Sequence, residues 1–230
     1  MSDKKIPFIL ALKAIKLTHI WRLSMDAYRQ ISKEAVNNIS RKVKIFTERI
    51  RGVDFSTVIQ PEEIGFNSKL VNHSSPSGNK YLISLLDDLD ITNQDSILDI
   101  GSGKGSAMQT MLKYPFLRVD GIELSNYLAI VAKQNFKKLK VRRSKIFNCD
   151  ATSFNDFKNY NNFYLYNPFP EETMFKVINK LSHSAKNNEG KFRLIYNNPV
   201  CHDVIIQQGF FSKIKEYPDE WGNKIFVYSH

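Results

Sequence analysis

Apolar residues recur along the first 50 positions at intervals of three and four. Phe8, Leu12 and Ile15 form one set, Ile20, Leu23 and Ala27 a second, and Val36, Ile39, Val43 and Phe46 a third. That is the period of one helix face. Residues 6–50 hold no glycine and a single proline, Pro7, so two or three amphipathic helices are expected there. Gly52 breaks the pattern. From there to Asn79 the chain turns to Asn, Ser, Pro and Gly, which predicts an irregular connector.

From Lys80 the rhythm alternates between two periods. Helices are expected at Tyr81–Leu89, Ser106–Leu112, Asn126–Leu139, Glu171–Lys186 and Val200–Gln208. Short apolar runs predict strands at Ser96–Ile100, Leu117–Leu124, Ser144–Asn148, Phe163–Asn167, Phe192–Asn197, Phe210–Glu216 and Lys224–Tyr228. Strands separated by helices imply a parallel sheet covered on both faces. Only the turn around Pro218–Asn223 separates the last two strands, too little for a parallel crossover, so they form an antiparallel hairpin. The expected organisation is a basic helical extension at 1–52, a connector at 53–79 and an α/β domain at 80–230.

Composition changes this picture little: 42% hydrophobic and 24% charged residues is an ordinary globular mixture. No apolar run approaches the roughly 18 residues of a membrane span. The opening MSDKKIPFILALKAIKL has the look of a leader, but Lys13 and Lys16 interrupt it and no small-residue cleavage site follows. It reads as a retained basic helix of a cytoplasmic protein. Charge is more informative. Of the formal +10, residues 1–52 carry most, with 12 Lys/Arg against 4 Asp/Glu. Such asymmetry fits attraction to nucleic acid, an anionic membrane surface or an acidic partner, and fits a solvated helix face equally well. A second basic run, Lys137, Lys138, Lys140, Arg142, Arg143 and Lys145, reads as a solvated loop. Cys149 and Cys201 form no CxxC, and the five histidines show no metal-ligand spacing.

The chemistry concentrates at the end of the first strand, in Leu98-Asp99-Ile100-Gly101-Ser102-Gly103-Lys104-Gly105. Glycines let a backbone turn tightly and approach a ligand, and the following helix offers free N–H groups. The second strand ends at Glu123, 18 residues beyond Gly105, where a carboxylate can accept from both hydroxyls of a ribose. A dinucleotide fingerprint, G-x-G-x-x-G, places its third glycine one position later than Gly105, where Ser106 stands here. Asp99 also repels a pyrophosphate and suits the ammonium group of an amino-acid ligand.

These residues resemble motifs I and II of the class I S-adenosylmethionine-dependent methyltransferases over about Ser75–His230. The resemblance implies a seven-stranded Rossmann-like methyltransferase sheet, mostly parallel, with a C-terminal antiparallel hairpin. It implies S-adenosyl-L-methionine as cofactor, no metal, Asp99 near the methionine amino group, Gly101, Gly103 and Gly105 in the cofactor loop, and Glu123 on the ribose. Asn148-Cys149-Asp150-Ala151 resembles the adenine-binding motif, with Asp150 accepting from the adenine amino group and the Ala151 N–H against the ring.

The fourth strand ends in Asn167-Pro168-Phe169-Pro170. This resembles the N-P-P-[YF] motif of amino methyltransferases but departs from it, with Phe169 in place of the second proline and Pro170 in place of the aromatic. Leu165-Tyr166-Asn167-Pro168-Phe169 is similar to a bacterial methyltransferase group and, distantly, to Dot1-like enzymes. The resemblance implies Asn167, Pro168 and Phe169 at the catalytic wall, with Asn167 also touching the cofactor. The other reading is a strand-ending turn with Phe169 in the core. Asn197-Asn198-Pro199 either lines the same pocket or is a turn. Ser75-Pro76-Ser77-Gly78 either covers the cofactor or caps the next helix through Ser77.

The reaction implied is direct methyl transfer, for which the protein aligns donor and acceptor and excludes water. With no general base in view, a nitrogen of nucleic acid or protein is the expected acceptor. The alternatives are O-methylation of a glycan or small molecule, or a binding module that keeps the fold without catalysis.

Overall fold

A computed structural model describes residues 36, 38–65, 76–186 and 192–230. The chain divides into two compact units, Met1–Thr47 and Glu48–His230. In the first unit residues 38–47 are helical, and Val36, Ile39, Val43 and Phe46 are exposed. The other helices expected in the extension lie outside the described residues.

In the second unit, helical residues 48–51 stop at Gly52, whose φ of 69° is left-handed. The described part of the connector is irregular, with one 3₁₀ turn at Pro61–Ile64. It is nonetheless anchored. The buried Glu48 carboxylate accepts from the backbone N–H groups of Phe55 and Ser56, both at 3.0 Å, and from the Ser56 hydroxyl at 2.6 Å. Val53 and Phe55 thereby enter the core.

Seven strands form one sheet: β1 Ser96–Ile100, β2 Arg118–Glu123, β3 Ile146–Asn148, β4 Asn162–Tyr166, β5 Arg193–Asn197, β6 Ser212–Pro218 and β7 Lys224–Ser229. Their order is β3-β2-β1-β4-β5-β7-β6. The first five are parallel and β7 runs antiparallel to both neighbours, as expected of the hairpin. Among the described residues, α1 Lys80–Asp87 precedes the sheet and four helices connect its strands: α2 Ser106–Met111, α3 Asn126–Lys138, α4 Glu171–Lys186 and α5 His202–Gln207.

Alternation along the buried strands divides the core into two layers. Ile97, Tyr164, Ile195 and Val227 face one way, with Leu82 and Leu85 of α1, Met108 of α2 and Phe136 of α3. Leu98, Ile100, Phe163, Leu165 and Tyr196 face the other, with Met174, Ile178 and Leu181 of α4 and Ile205 of α5. Two strands start two residues later than their apolar runs predict. β6 begins at Ser212 because Phe210 and Phe211 pack edge-on with ring centroids 4.9 Å apart, and Phe211 stacks on Phe192. β3 begins at Ile146, the residue opposite Gly121 of β2.

Between β2 and β3 the basic run is solvated as expected, exposed at every cation but the half-buried Arg143, and three of its members also hold local partners. Lys138 donates to the Gly52 carbonyl and Arg143 to those of Phe116 and Leu112, while the Lys145 ammonium lies 4.6 Å from the Phe147 ring centroid. Among the described residues no helix is long and apolar enough to cross a membrane.

Candidate active site

β1 and β4 are neighbours in the sheet although β2 and β3 separate them in sequence, so a crevice opens at their C-terminal ends. In open α/β sheets ligands bind at such a switch point. The loop after β1 turns through three left-handed glycines, Gly101, Gly103 and Gly105, at φ of 85°, 53° and 86°. Each has its own reason to be glycine. A Cβ on Gly101 falls 2.7 Å from Pro168 Cβ, so the donor loop touches the end of β4 directly. A Cβ on Gly105 falls 2.7 Å from the Phe136 ring. Gly105 therefore packs on α3, and its N–H bonds the Ser102 carbonyl at 2.9 Å. The Gly103 N–H donates to Glu123 Oε2 at 2.8 Å.

Glu123 Oε1 accepts from the Ser125 N–H at 2.8 Å, so this carboxylate braces both the glycine loop and the start of α3. Burial holds the Glu123 carboxyl above its ordinary range. Asp99 is only 2% exposed, and among the described residues its carboxyl makes no hydrogen bond. Burial, then the nearby Glu123 charge, push it well above the usual carboxylate range. The one lysine of the loop, Lys104, does not neutralise either acid: its ammonium pairs with Asp54 at 2.7 Å. Asp150 Oδ1 accepts from the Thr152 N–H at 2.7 Å in a local turn, and Ala151 is buried behind it.

At the end of β4, Asn167 adopts a left-handed φ of 40°, and Asn198 after β5 one of 50°. Asn carries such conformations more readily than other non-glycine residues. Tyr196, fully buried on β5, accepts the Cys201 N–H at 3.2 Å. Its own hydroxyl proton goes to Asn167 Oδ1, also at 3.2 Å. Tyr196 thus ties the end of β4 to the start of α5, a role no local pattern announces. Phe169 is half-buried against the α4–α5 core, and its carbonyl faces the Cys201 thiol at 3.9 Å. Pro168 sits between this wall and Gly101.

The segment before α1 differs from the capping expectation. Asn79, not Ser77, caps α1, its side-chain oxygen accepting from Tyr81 and Leu82. Ser77 is instead buried near the Tyr164 hydroxyl. Gly78 lies against α2, where a Cβ falls 2.3 Å from the Ser106 carbonyl. Pro76–Asn79 is thereby fixed over the C-terminal ends of β1 and β4.

A glycine loop after β1, an acid ending β2 and an antiparallel β7 between β5 and β6 define the class I methyltransferase fold. Residues 27–171 match the family described as protein-L-isoaspartate(D-aspartate) O-methyltransferase (PCMT). The match takes in more than half of the chain, which belongs to this family of S-adenosylmethionine-dependent methyltransferases. No curated protein matches it in sequence.

Solved structures show the same fold. The ribosomal protein L11 methylase of Lactobacillus delbrueckii subsp. bulgaricus aligns with a TM-score of 0.55 and 11% identity over 71% of this chain and 83% of that one. An RNA methyltransferase from Salinibacter ruber, in complex with S-adenosyl-L-homocysteine, aligns at 0.51 and 17% over 64% and 88%. MtNAS, in complex with MTA and tNA, aligns at 0.51 and 15% over 65% of this chain; this chain spans 60% of its length.

Proposed function

We propose that the chain transfers the methyl group of S-adenosylmethionine to a carboxylate oxygen on a protein, of the kind an isomerised aspartate presents. Asp99 lies at the cofactor's amino-acid end, Glu123 at its ribose, and Asp150 with Ala151 at its adenine. The family match supports the donor, and one contact carries the choice of acceptor: Asn167 Oδ1 already accepts the Tyr196 hydroxyl proton. An amine acceptor is held by hydrogen bonds to that amide oxygen, and the tyrosine occupies one of its two lone pairs. A carboxylate needs no such help, being anionic at neutral pH. An oxygen lone pair attacks the methyl carbon, the carbon–sulfur bond breaks, and its electron pair stays on sulfur as the sulfonium becomes a thioether. The protein supplies alignment and dryness.

The nitrogen reading keeps one observation in its favour, the likeness of Asn167-Pro168-Phe169 to amino methyltransferases. That likeness, and the finer one to the bacterial and Dot1-like groups, rests on a few residues at one strand end. A single assay separates the readings. Radiolabelled S-adenosylmethionine is offered with an isoaspartyl peptide, its aspartyl isomer, RNA, DNA and glycan. Label that enters the isoaspartyl peptide and leaves as methanol in mild base supports the carboxyl reading. Base-stable label on any acceptor replaces it.

A further inference from the structure

Beneath the segment Pro76–Asn79 lies a polar cluster drawn from five parts of the chain. Asp99 of β1 and Tyr164 of β4 are register partners on adjacent strands. The Tyr164 hydroxyl lies near the buried Ser77 and accepts from Asn197 Nδ2 at 3.3 Å, Asn197 being the last residue of β5. Asp219, in the turn between β6 and β7, accepts from Asn79 Nδ2 at 2.8 Å through Oδ1, and its charge acts on Tyr164. Asn197 is 0% exposed and Asp219 4%.

The cluster is short of protons. Among the described residues, Asn197 Oδ1 and Asp219 Oδ2 are buried and accept no hydrogen bond, and neither does Asp99. Buried acceptors without donors are costly, and native proteins rarely keep several together unless a donor-rich group completes them. Two carboxylates and an amide oxygen, with no lysine or arginine bonded to them, match a compact group carrying several N–H donors and a positive charge.

We propose that Asn197 and Asp219 extend the cofactor site beyond Asp99 and, with it, receive the α-ammonium group of the bound S-adenosyl ligand. This rests on the S-adenosylmethionine reading above. The β6–β7 turn then takes part in holding the cofactor, and Asn79 links that turn to the segment that covers it. Asp99, raised by burial and by Glu123, gains a cation at close range when the ligand arrives.

The test compares two ligands, S-adenosylhomocysteine and its deamino analogue, by titration calorimetry on wild-type protein and on Asp219→Asn. That substitution keeps the shape and the acceptor for Asn79. Wild-type protein should prefer the ammonium-bearing ligand. In Asp219→Asn its affinity should fall about tenfold or more, while the analogue's stays within about twofold. Should Asp219→Asn fail to fold, Asn197→Ala offers the same comparison. Equal losses for both ligands, or no loss for either, overturn the proposal and leave cofactor binding intact. Wild-type protein that binds neither ligand overturns the S-adenosylmethionine reading itself.

Discussion

The β1–β2 side of the crevice and the β4–β5 side are built on different principles. The first is charged and backbone-made: two buried acids, Asp99 and Glu123, stand over a loop whose course three left-handed glycines dictate. The second is neutral and side-chain-made: two left-handed asparagines, each followed by proline, and a tyrosine hydroxyl that fixes one of them. A cationic donor suits the first side, and it is the same molecule throughout the family. The second side is where the proposed reading puts the acceptor, and the Tyr196–Asn167 hydrogen bond shapes it. The two sides touch where Gly101 meets Pro168.

That contact is the place to break the comparison. Gly101→Val puts a β-branched residue at a φ of 85° and its Cβ 2.7 Å from Pro168. Strain and overpacking together should cost about 3–5 kcal/mol, lowering the melting temperature and abolishing ligand binding. A variant with wild-type melting and affinity shows that the sides are independent.

Asp99→Asn sharpens the charged side alone. The unfolded chain ionises Asp99 near its ordinary value of 3.8, whereas the folded protein holds the proton to higher pH. Between those values the folded state binds more protons, so the free protein loses stability as pH rises through the window. One proton sets a slope of at most about 1.4 kcal/mol per pH unit. Asp99→Asn removes it, so the variant's stability advantage in urea should widen from acid to neutral pH. Parallel pH profiles argue against a protonated Asp99.

Tyr196→Phe tests the neutral side with the smallest change. Loss of one buried hydroxyl removes about 0.5–1.5 kcal/mol, up to roughly tenfold in turnover, through a loosened Asn167. Cofactor affinity should hold, because the lost bond belongs to the acceptor wall. Reduced affinity with unchanged turnover assigns Asn167 to the donor side.

The same difference decides what was legible in the sequence. Elements of the α/β domain fall within about two residues of their apolar periods, because burial on both faces of the sheet leaves a strong local signal. Glycine spacing placed the turn after β1 for the same local reason. Gly105 carries a second constraint. It belongs to the expected cofactor loop, and the space its missing Cβ leaves is filled by Phe136, so a left-handed turn and a close helix require the same residue. Tyr196 lies 29 residues from Asn167 and is one aromatic among many in the strands. Nothing local distinguishes its hydroxyl from a core ring's. Asn79, not Ser77, caps α1, and Ser77 is buried near Tyr164 across the fold. Partnerships across the sheet leave no periodic trace.

Strand order also bears on how the molecule is made. β1, β2 and β3 are consecutive in sequence and adjacent in the sheet, so they can pair as soon as residue 148 leaves the ribosome. β4 then adds to the open edge of β1, and β5 to β4. β6 has β7 as its one neighbour in the sheet, so it cannot pair there until β7, synthesised after it, is available. Until β7 arrives, β6 has no partner strand. It waits as a largely exposed segment carrying Lys213, Lys215 and Glu216, charges that discourage it from pairing with a neighbouring nascent chain.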